Sequence, residues 1–294
     1  MSKVSVIIPA WGELYLQRTI DNLLENLTGD YEIIVTLDGY WPDPPLRDHP
    51  KLTLLHRERR GMRQALNAAA SVASGDYLLK IDGHCAVAYG FNEVLSAECE
   101  DNWIVIPRRY SLEEEDWTPR RYKKFIDYEY LGHPSRKQGR MHGERWHERT
   151  LARIDRLVDE AMTFQGSCWL MKRDHFWNTI GGFSDEGYGT FVCEAQEIGL
   201  KTWLGGGKNI INKKTWYAHL WKGKGYRDKF NELFKEKYTR VGHNEYVNGN
   251  RFNTDFWMNN RWPDRIHDFA WLVERFWPVP TWPEDRDKWT WFAE

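Results

Sequence analysis

Short apolar runs and amphipathic stretches alternate through the first hundred residues. Residues 4–8 form a β-branched run broken only by Ser5, the pattern of a strand covered on both faces. Residues 14–27 follow with apolar positions at Leu16, Ile20, Leu23, Leu24 and Leu27, a helical period. A second strand over 31–37 ends at Asp38-Gly39, and a Pro-rich connection over 41–50 leads to a third over 52–55. An Ala-rich helix over 61–74 stops at Gly75, and a fourth strand over 77–81 ends at Asp82-Gly83-His84. Strand–helix–strand alternation at this spacing predicts an α/β fold with a Rossmann-like, mostly parallel sheet flanked by helices. Ligands of such sheets bind outside the carboxyl ends of the strands, where Asp38 and Asp82 fall.

The pattern changes beyond residue 100. Residues 103–107 read as another strand, and 117–156 as a polar, loop-rich insert containing His133, His142 and His147. Residues 163–171 return to an apolar strand pattern, followed by a helix start and the turn Gly181-Gly182. A helix over about 194–203 runs into Gly205-Gly206-Gly207, and 210–220 carry a last strand. From Arg251 onward seven Trp (257, 262, 271, 277, 282, 289 and 291) lie among Pro and charged residues. Three of them, Trp262, Trp277 and Trp282, directly precede Pro and read as a clamp wrapped on the domain. The expected organisation is a domain over 1–225 and an aromatic-rich C-terminal extension over 226–294 packed on it.

Composition narrows the function classes. A chain of 294 residues can bury a proper core as one large domain, or as one domain plus an extension. A mean hydropathy of −0.71 and the lack of an apolar run near 18 residues exclude a transmembrane helix. Met1-Ser2-Lys3 leads straight into the first strand, too short a start for a signal peptide, so the expected setting is soluble and cytoplasmic. Four cysteines without CxxC spacing indicate neither a zinc knuckle nor a disulfide framework and read as small buried hydrophobes. The formal charge of −2 hides two basic segments. Residues 117–156 hold 11 Lys/Arg against 5 Asp/Glu, and 212–241 hold 9 against 3. The 17 Trp suit stacking on sugars or bases, or simply a Trp-rich core and surface.

The chemistry concentrates at Asp82-Gly83-His84. A carboxylate and an imidazole two residues apart at the mouth of a parallel sheet can share one divalent cation, and Gly83 lets the backbone approach it. Mixed oxygen and nitrogen donors suit Mn²⁺ better than Mg²⁺. The surroundings of this turn, Gly61-Met62-Arg63-Gln64-Ala65-Leu66-Asn67 and Ala73-Ser74-Gly75-Asp76-Tyr77, resemble the core of the family 2 glycosyltransferases. So do the start, Val4-Ser5-Val6-Ile7-Ile8-Pro9-Ala10-Trp11-Gly12-Glu13, and the stretch Glu32-Ile33-Ile34-Val35 before Asp38. The Asp-x-His form followed by Cys85 is closer to the polypeptide GalNAc-transferases, whose pattern His219 in Trp216-Tyr217-Ala218-His219 also resembles, and Glu194-Ala195-Gln196-Glu197-Ile198 sits where these families carry their acidic acceptor-side motif.

Over residues 3–225 the resemblance implies a GT-A fold and a metal-dependent transfer from a nucleotide-sugar donor, UDP-linked, to a hydroxyl acceptor. It implies that Pro9, Ala10 and Glu13 line the nucleotide pocket, that Asp38 contacts the base or ribose, and that Arg63 approaches the nucleotide or its diphosphate. Asp82, His84 and His219 would hold Mn²⁺ (or Mg²⁺), which offsets charge on the leaving diphosphate. Lys222 and Lys224 would close over the diphosphate as a lid. Inverting family 2 enzymes carry an Asp base where Ala195 stands here. Either Glu194 is the catalytic base, or the reaction retains configuration and needs none.

The tail, including Asn259-Asn260-Arg261-Trp262-Pro263, also resembles bacteriophage glycosyltransferases, some of which modify hydroxymethylated pyrimidines in DNA; the setting would then be the host cytoplasm. A DNA acceptor would lie on segments 117–156 and 212–241, with Tyr122, Tyr128, Tyr130 and Trp146 as stacking rings. A saccharide or protein acceptor is the alternative. A dinucleotide oxidoreductase would need a GxGxxG turn after the first strand, which Pro9-Ala10-Trp11-Gly12 does not supply. A sugar nucleotidyltransferase would need a Gly-rich basic loop at that place. A non-catalytic nucleic-acid binder would leave the Asp82, His84 and His219 set without a purpose.

Overall fold

In the computed structural model, residues 2–122, 124–136, 139–235 and 242–289 are described. Trp291, residues 236–241 of the second basic segment and residues 123, 137 and 138 of the first lie outside them. The chain runs β1 (Val4–Ala10), α1 (Leu16–Asn26), β2 (Tyr31–Asp38), β3 (Leu52–Arg57), α2 (Met62–Val72), β4 (Tyr77–Ile81), β5 (Cys85–Val87) and α3 (Phe91–Ser96). It continues through β6 (Trp103–Ser111), β7 (Glu129–Gly132), β8 (His142–Arg145), α4 (His147–Ala152), β9 (Val158–Glu160) and β10 (Cys168–Lys172). A π-helical turn over His175–Ile180 precedes α5 (Glu194–Leu204), β11 (Lys208–His219), α6 (Lys224–Phe234), α7 (His243–Met258) and α8 (Phe269–Arg275).

The central sheet has the order β3-β2-β1-β4-β10-β6-β11-β5, with β9 also on β11. The first four strands are parallel; β1, β2 and β4 are buried on both faces, as their apolar runs require, and β3 forms the half-buried edge. Strand β10 enters antiparallel between β4 and β6, and β6 runs parallel to β11. The return of β11 onto β5 sets His219 opposite Cys85, and the Leu220 amide donates to the His84 carbonyl at 3.1 Å. Two residues 135 positions apart are thereby brought to one strand end.

Each face of the sheet carries its own apolar layer. One joins Ile20, Leu23, Phe91 and Leu95 of α1 and α3 to β1, β2 and β4. The other joins α2 and α5 to Trp257, Trp262, Leu272, Phe276, Trp282 and Trp289 from the C-terminal part. Trp257 and Trp282 also satisfy their indole N–H groups, on the Tyr188 hydroxyl at 3.0 Å and the Leu131 carbonyl at 2.6 Å. Of the three Trp-Pro positions expected to clamp the domain, Trp262 and Trp282 are buried, whereas Trp277 keeps 39% of its surface open.

The insert differs from its expected loop-rich form. It builds the β7–β8 hairpin and α4, and Tyr128, Tyr130, Leu131, Met141 and Trp146 are buried within it. Tyr122 alone of the four expected stacking rings is well exposed. The residues after Thr163 are likewise irregular until Cys168, with Thr163 bridging to Glu129.

Candidate active site

Strand β4 ends by placing Asp82 on the sheet's carboxyl edge, its amide donating to the Ser167 carbonyl at 3.0 Å. The turn then passes close to α1: a Cβ on Gly83 would sit 3.2 Å from Glu13 Cγ and Leu16 Cδ1. His84 Nε2 and His219 Nε2 face each other at 3.0 Å, with Asp82 Oδ2 at 3.3 Å from the second and 3.8 Å from the first. Asp82 keeps 22% of its side chain open, against 6% for His84 and 14% for His219, so the set opens on the carboxylate side.

Three donor atoms of this kind, within 4.8 Å of one another, fit a single divalent cation with bonds of about 2.1 Å. Two such bonds at a right angle separate their donors by about 3 Å. The protonation states agree. Burial pushes His219 down to about 4, which leaves a neutral imidazole at neutral pH. Burial alone would raise the Asp82 carboxyl, but the Lys80 ammonium and the His219 hydrogen bond overcome it and hold the group well below its usual range.

The set is held from behind. His84 Nδ1 lies 3.0 Å from Glu13 Oε2, and Lys222 Nζ donates to Glu13 Oε1 at 2.6 Å. Against its burial, Lys222 and His84 hold Glu13 at about 2, an ionised acceptor that fixes His84 with Nε2 directed at the other two donors. Glu13, expected on the nucleotide pocket, thus contacts the histidine. Lys222, expected as a lid, is tied to Glu13, while Lys224 is exposed at the first residue of α6. At the end of β1, Pro9 is half-buried and Ala10 is fully covered, so Ala10 offers no side chain to an open pocket.

Lys80 escaped the sequence reading. Its Nζ reaches Asp82 Oδ1 at 2.6 Å and the Gly166 carbonyl, with Glu194 Oε2 at 3.7 Å. The signal was present: a strand of period two puts residues 80 and 82 on one side, and a lysine inside Tyr77-Leu78-Leu79-Lys80-Ile81 needs a carboxylate. Glu194 lies beneath this point at 6% exposure, its Oε1 accepting from the Trp169 indole at 3.0 Å. Burial raises its carboxyl above the ordinary range despite Lys80. Gly166 covers it so closely that a Cβ there would meet Glu194 Oε2 at 2.9 Å.

Two expected donor contacts are corrected. Arg63 is fully buried, paired with Glu197 and donating to the carbonyls of Ser184 at 2.7 Å and Val192 at 2.9 Å. Its guanidinium also lies 4.4 Å from the Tyr188 ring centre, so no face is left for a diphosphate. Asp38 is 3% exposed, and its two oxygens accept the amides of Arg60 at 2.9 Å and Gly61 at 2.7 Å. It shapes the loop into α2 instead of presenting a carboxylate to a base or ribose. His133, His142 and His147 do not gather: His133 is bonded to Ser135 and to the Lys288 carbonyl, and His147 to Lys124. Among the described residues Asp82, His84 and His219 form the one cluster suited to a cation.

A mostly parallel sheet of this order, with helices on both faces, is the frame of a GT-A fold. The chain belongs to glycosyl transferase family 2, whose model matches residues 5–180. It is 30% identical over 247 residues to the putative polypeptide N-acetylgalactosaminyltransferase 13 of Drosophila melanogaster, covering 75% of this chain and 42% of that protein. The chain thus spans less than half the length of that curated relative. Among solved structures it resembles GalNAc-T7 with UDP, GalNAc and Mn²⁺, at a TM-score of 0.59 and 18% identity over 76% of this chain and 44% of the other. It also resembles S. aureus TarS 1-349 in complex with UDP-GlcNAc, at 0.51 and 12% over 86% and 72%. At these identities the two structures bear on the fold alone. No described helix is long and apolar enough to cross a membrane.

Proposed function

We propose that the chain transfers a glycosyl group from a UDP-sugar to a hydroxyl acceptor, with a divalent cation, Mn²⁺ in preference to Mg²⁺, held by Asp82, His84 and His219. The observation that carries this reading is the convergence of one carboxylate and two imidazole nitrogens at the carboxyl end of β4. A cation there offsets the negative charge that develops as the nucleoside diphosphate departs.

The protein's own groups keep the donor set ready. Glu13 holds His84 in the tautomer with its proton on Nδ1. Lys80 keeps Asp82 ionised from below. Lys222 and Lys224 flank the entry to α6, and a swing of this stretch toward the diphosphate would release Lys222 from Glu13. Glu194 is covered and bonded to Trp169, which fits support of Lys80 better than proton removal from an acceptor. That geometry favours the retaining reaction over the inverting one.

Burial of Tyr128, Tyr130 and Trp146 removes most of the ring-stacking argument for a nucleic-acid acceptor, so a saccharide or protein hydroxyl is the favoured class. The test is nucleoside diphosphate release with Mn²⁺ and a panel of UDP-, GDP- and TDP-sugars. It is run with saccharide acceptors and with hydroxymethylpyrimidine DNA. Release from a UDP-sugar, abolished in His84→Ala, is expected. Full activity in chelator overturns the metal assignment, and release that depends on the DNA overturns the favoured acceptor class. Silence with every donor overturns glycosyl transfer.

A further inference from the structure

A second cleft, of about 540 Å³, lies at the opposite end of the sheet. Its floor is Trp103, Lys208 and Ile210, from the first residues of β6 and β11, whereas His219 closes β11 at the far end. At the rise of a strand the two sites are roughly 30 Å apart. Arg149, Arg153 and Arg156 come from α4 and the residues after it, and Arg275, Phe276 and Trp277 from the end of α8. Three arginines of the basic insert therefore gather here, away from the metal set.

The charges in this cleft do not balance. Five cations meet two carboxylates, Asp159 and Glu160. Asp159 is taken by Arg153 at 2.9 Å and by the Tyr128 hydroxyl at 2.7 Å, and Glu160 by Arg275 at 2.6 Å. Arg156 stands 3.9 Å from Asp159 with 63% of its side chain open. Arg149 forms no ion pair among the described residues, and its buried Nε has no hydrogen-bond partner. Instead its guanidinium sits about 5 Å from the ring centres of Tyr128, Trp146 and Phe276, and Nη2 reaches only the Glu160 carbonyl at 3.4 Å. Burial, helped by Arg153, lowers the pKa of this group, as expected where a cation lacks a counter-charge.

An under-neutralised guanidinium held by rings is a receptor for an anion with two oxygens to offer. Trp277 supplies a partly open aromatic face beside it, and Trp103 a half-buried one. Together they suit a flat, ring-bearing anion. The volume accommodates a small ligand, whereas a single strand of nucleic acid needs a groove that tracks several phosphates. We propose that this cleft is a second binding site, separate from the donor site, for an acidic sugar unit: a pyranose-sized ring carrying a phosphate or a carboxylate, with Arg149 and Arg156 on the anion and Trp277 on the ring. The site does not rest on the glycosyl-transfer reading, since it shares no residue with the metal set.

Calorimetric titration of the full chain tests it, with glucose 6-phosphate, glucuronate, glucose, inorganic phosphate and a single-stranded oligonucleotide as probes. Saturable binding of glucose 6-phosphate or glucuronate is expected, with glucose at least tenfold weaker, and whichever binds tighter names the anion. Binding should survive saturating UDP and Mn²⁺. It should weaken at least tenfold in Trp277→Ala and in Arg149→Met, with the exposed Arg156→Gln as the variant least able to disturb folding. Inorganic phosphate binding as tightly as the sugar phosphate overturns the sugar, and displacement by UDP overturns a separate site. Tighter, steeply salt-dependent binding of the oligonucleotide overturns the ligand class, and no binding by any probe overturns the site.

Discussion

Glu13 Oε2 and His84 Nδ1 lie 3.0 Å apart, and this contact between the loop after β1 and the turn after β4 leaves Nε2 of His84 facing His219 Nε2 at 3.0 Å. Glu13→Gln keeps the shape and removes the charge. It should weaken Mn²⁺ binding by about 10- to 100-fold, the usual effect of losing a carboxylate behind a ligating histidine. Calorimetric titration with Mn²⁺ checks this, and unchanged affinity would show that Glu13 serves only Lys222.

Lys80 is buried between Asp82, Glu194 and the Gly166 carbonyl. Burial would lower its pKa, but the two carboxylates raise it overall, so the ammonium persists at all working pH values. Lys80→Met leaves those carboxylates uncompensated and should cost about 3–5 kcal/mol, the range for breaking a buried pair. Denaturant unfolding in chelator measures it. A loss below about 1 kcal/mol would mean that water reaches the site and replaces the ammonium.

Arg63 makes the opposite test, of a residue expected at the donor and found in the core. Arg63→Met should lower stability by a similar amount, because Glu197 stays buried with only Lys201 at 2.8 Å to pair it. The KM for the donor should stay within about twofold at temperatures where the variant is folded. A large rise in KM without loss of stability would restore the diphosphate role.

His175 sets a pH dependence of stability. Its Nε2 meets the Thr202 hydroxyl at 2.8 Å, its Nδ1 is buried without a partner, and burial lowers its pKa to about 4. Between about pH 6.5 and 4 the unfolded chain binds a proton that the folded chain refuses. Stability contributed by the neutral ring is therefore full above that window and falls as the pH drops through it, by at most ~1.4 kcal/mol per unit. His175→Gln should flatten the slope of unfolding free energy against pH over that window, measured in chelator. An unchanged slope would show that the ring is protonated in the fold.

The first four strands and the Asp82-Gly83-His84 turn were legible because they rest on local signals: apolar runs of strand length and Gly at a close approach. Even Lys80 could have been found by counting alternate positions along one strand. Arg63 and Asp38 could not be judged in this way. A guanidinium beside a nucleotide and one sealed in a core read alike until Ser184, Val192 and Glu197, more than a hundred residues away, are seen to surround it.

The insert shows the same division. Its excess of Lys and Arg was visible in the sequence, yet charge composition carries no direction. Tertiary packing buried Tyr128, Tyr130 and Trp146, seated Trp282 on the Leu131 carbonyl, and turned Arg149, Arg153 and Arg156 to the end of the sheet away from Asp82. By itself the sequence determined the α/β frame, which follows from periodicity, and set a carboxylate and an imidazole, Asp82 and His84, together at one strand end. Only the tertiary structure decided which charges face a ligand and which face each other, because burial and pairing depend on segments far apart in the chain.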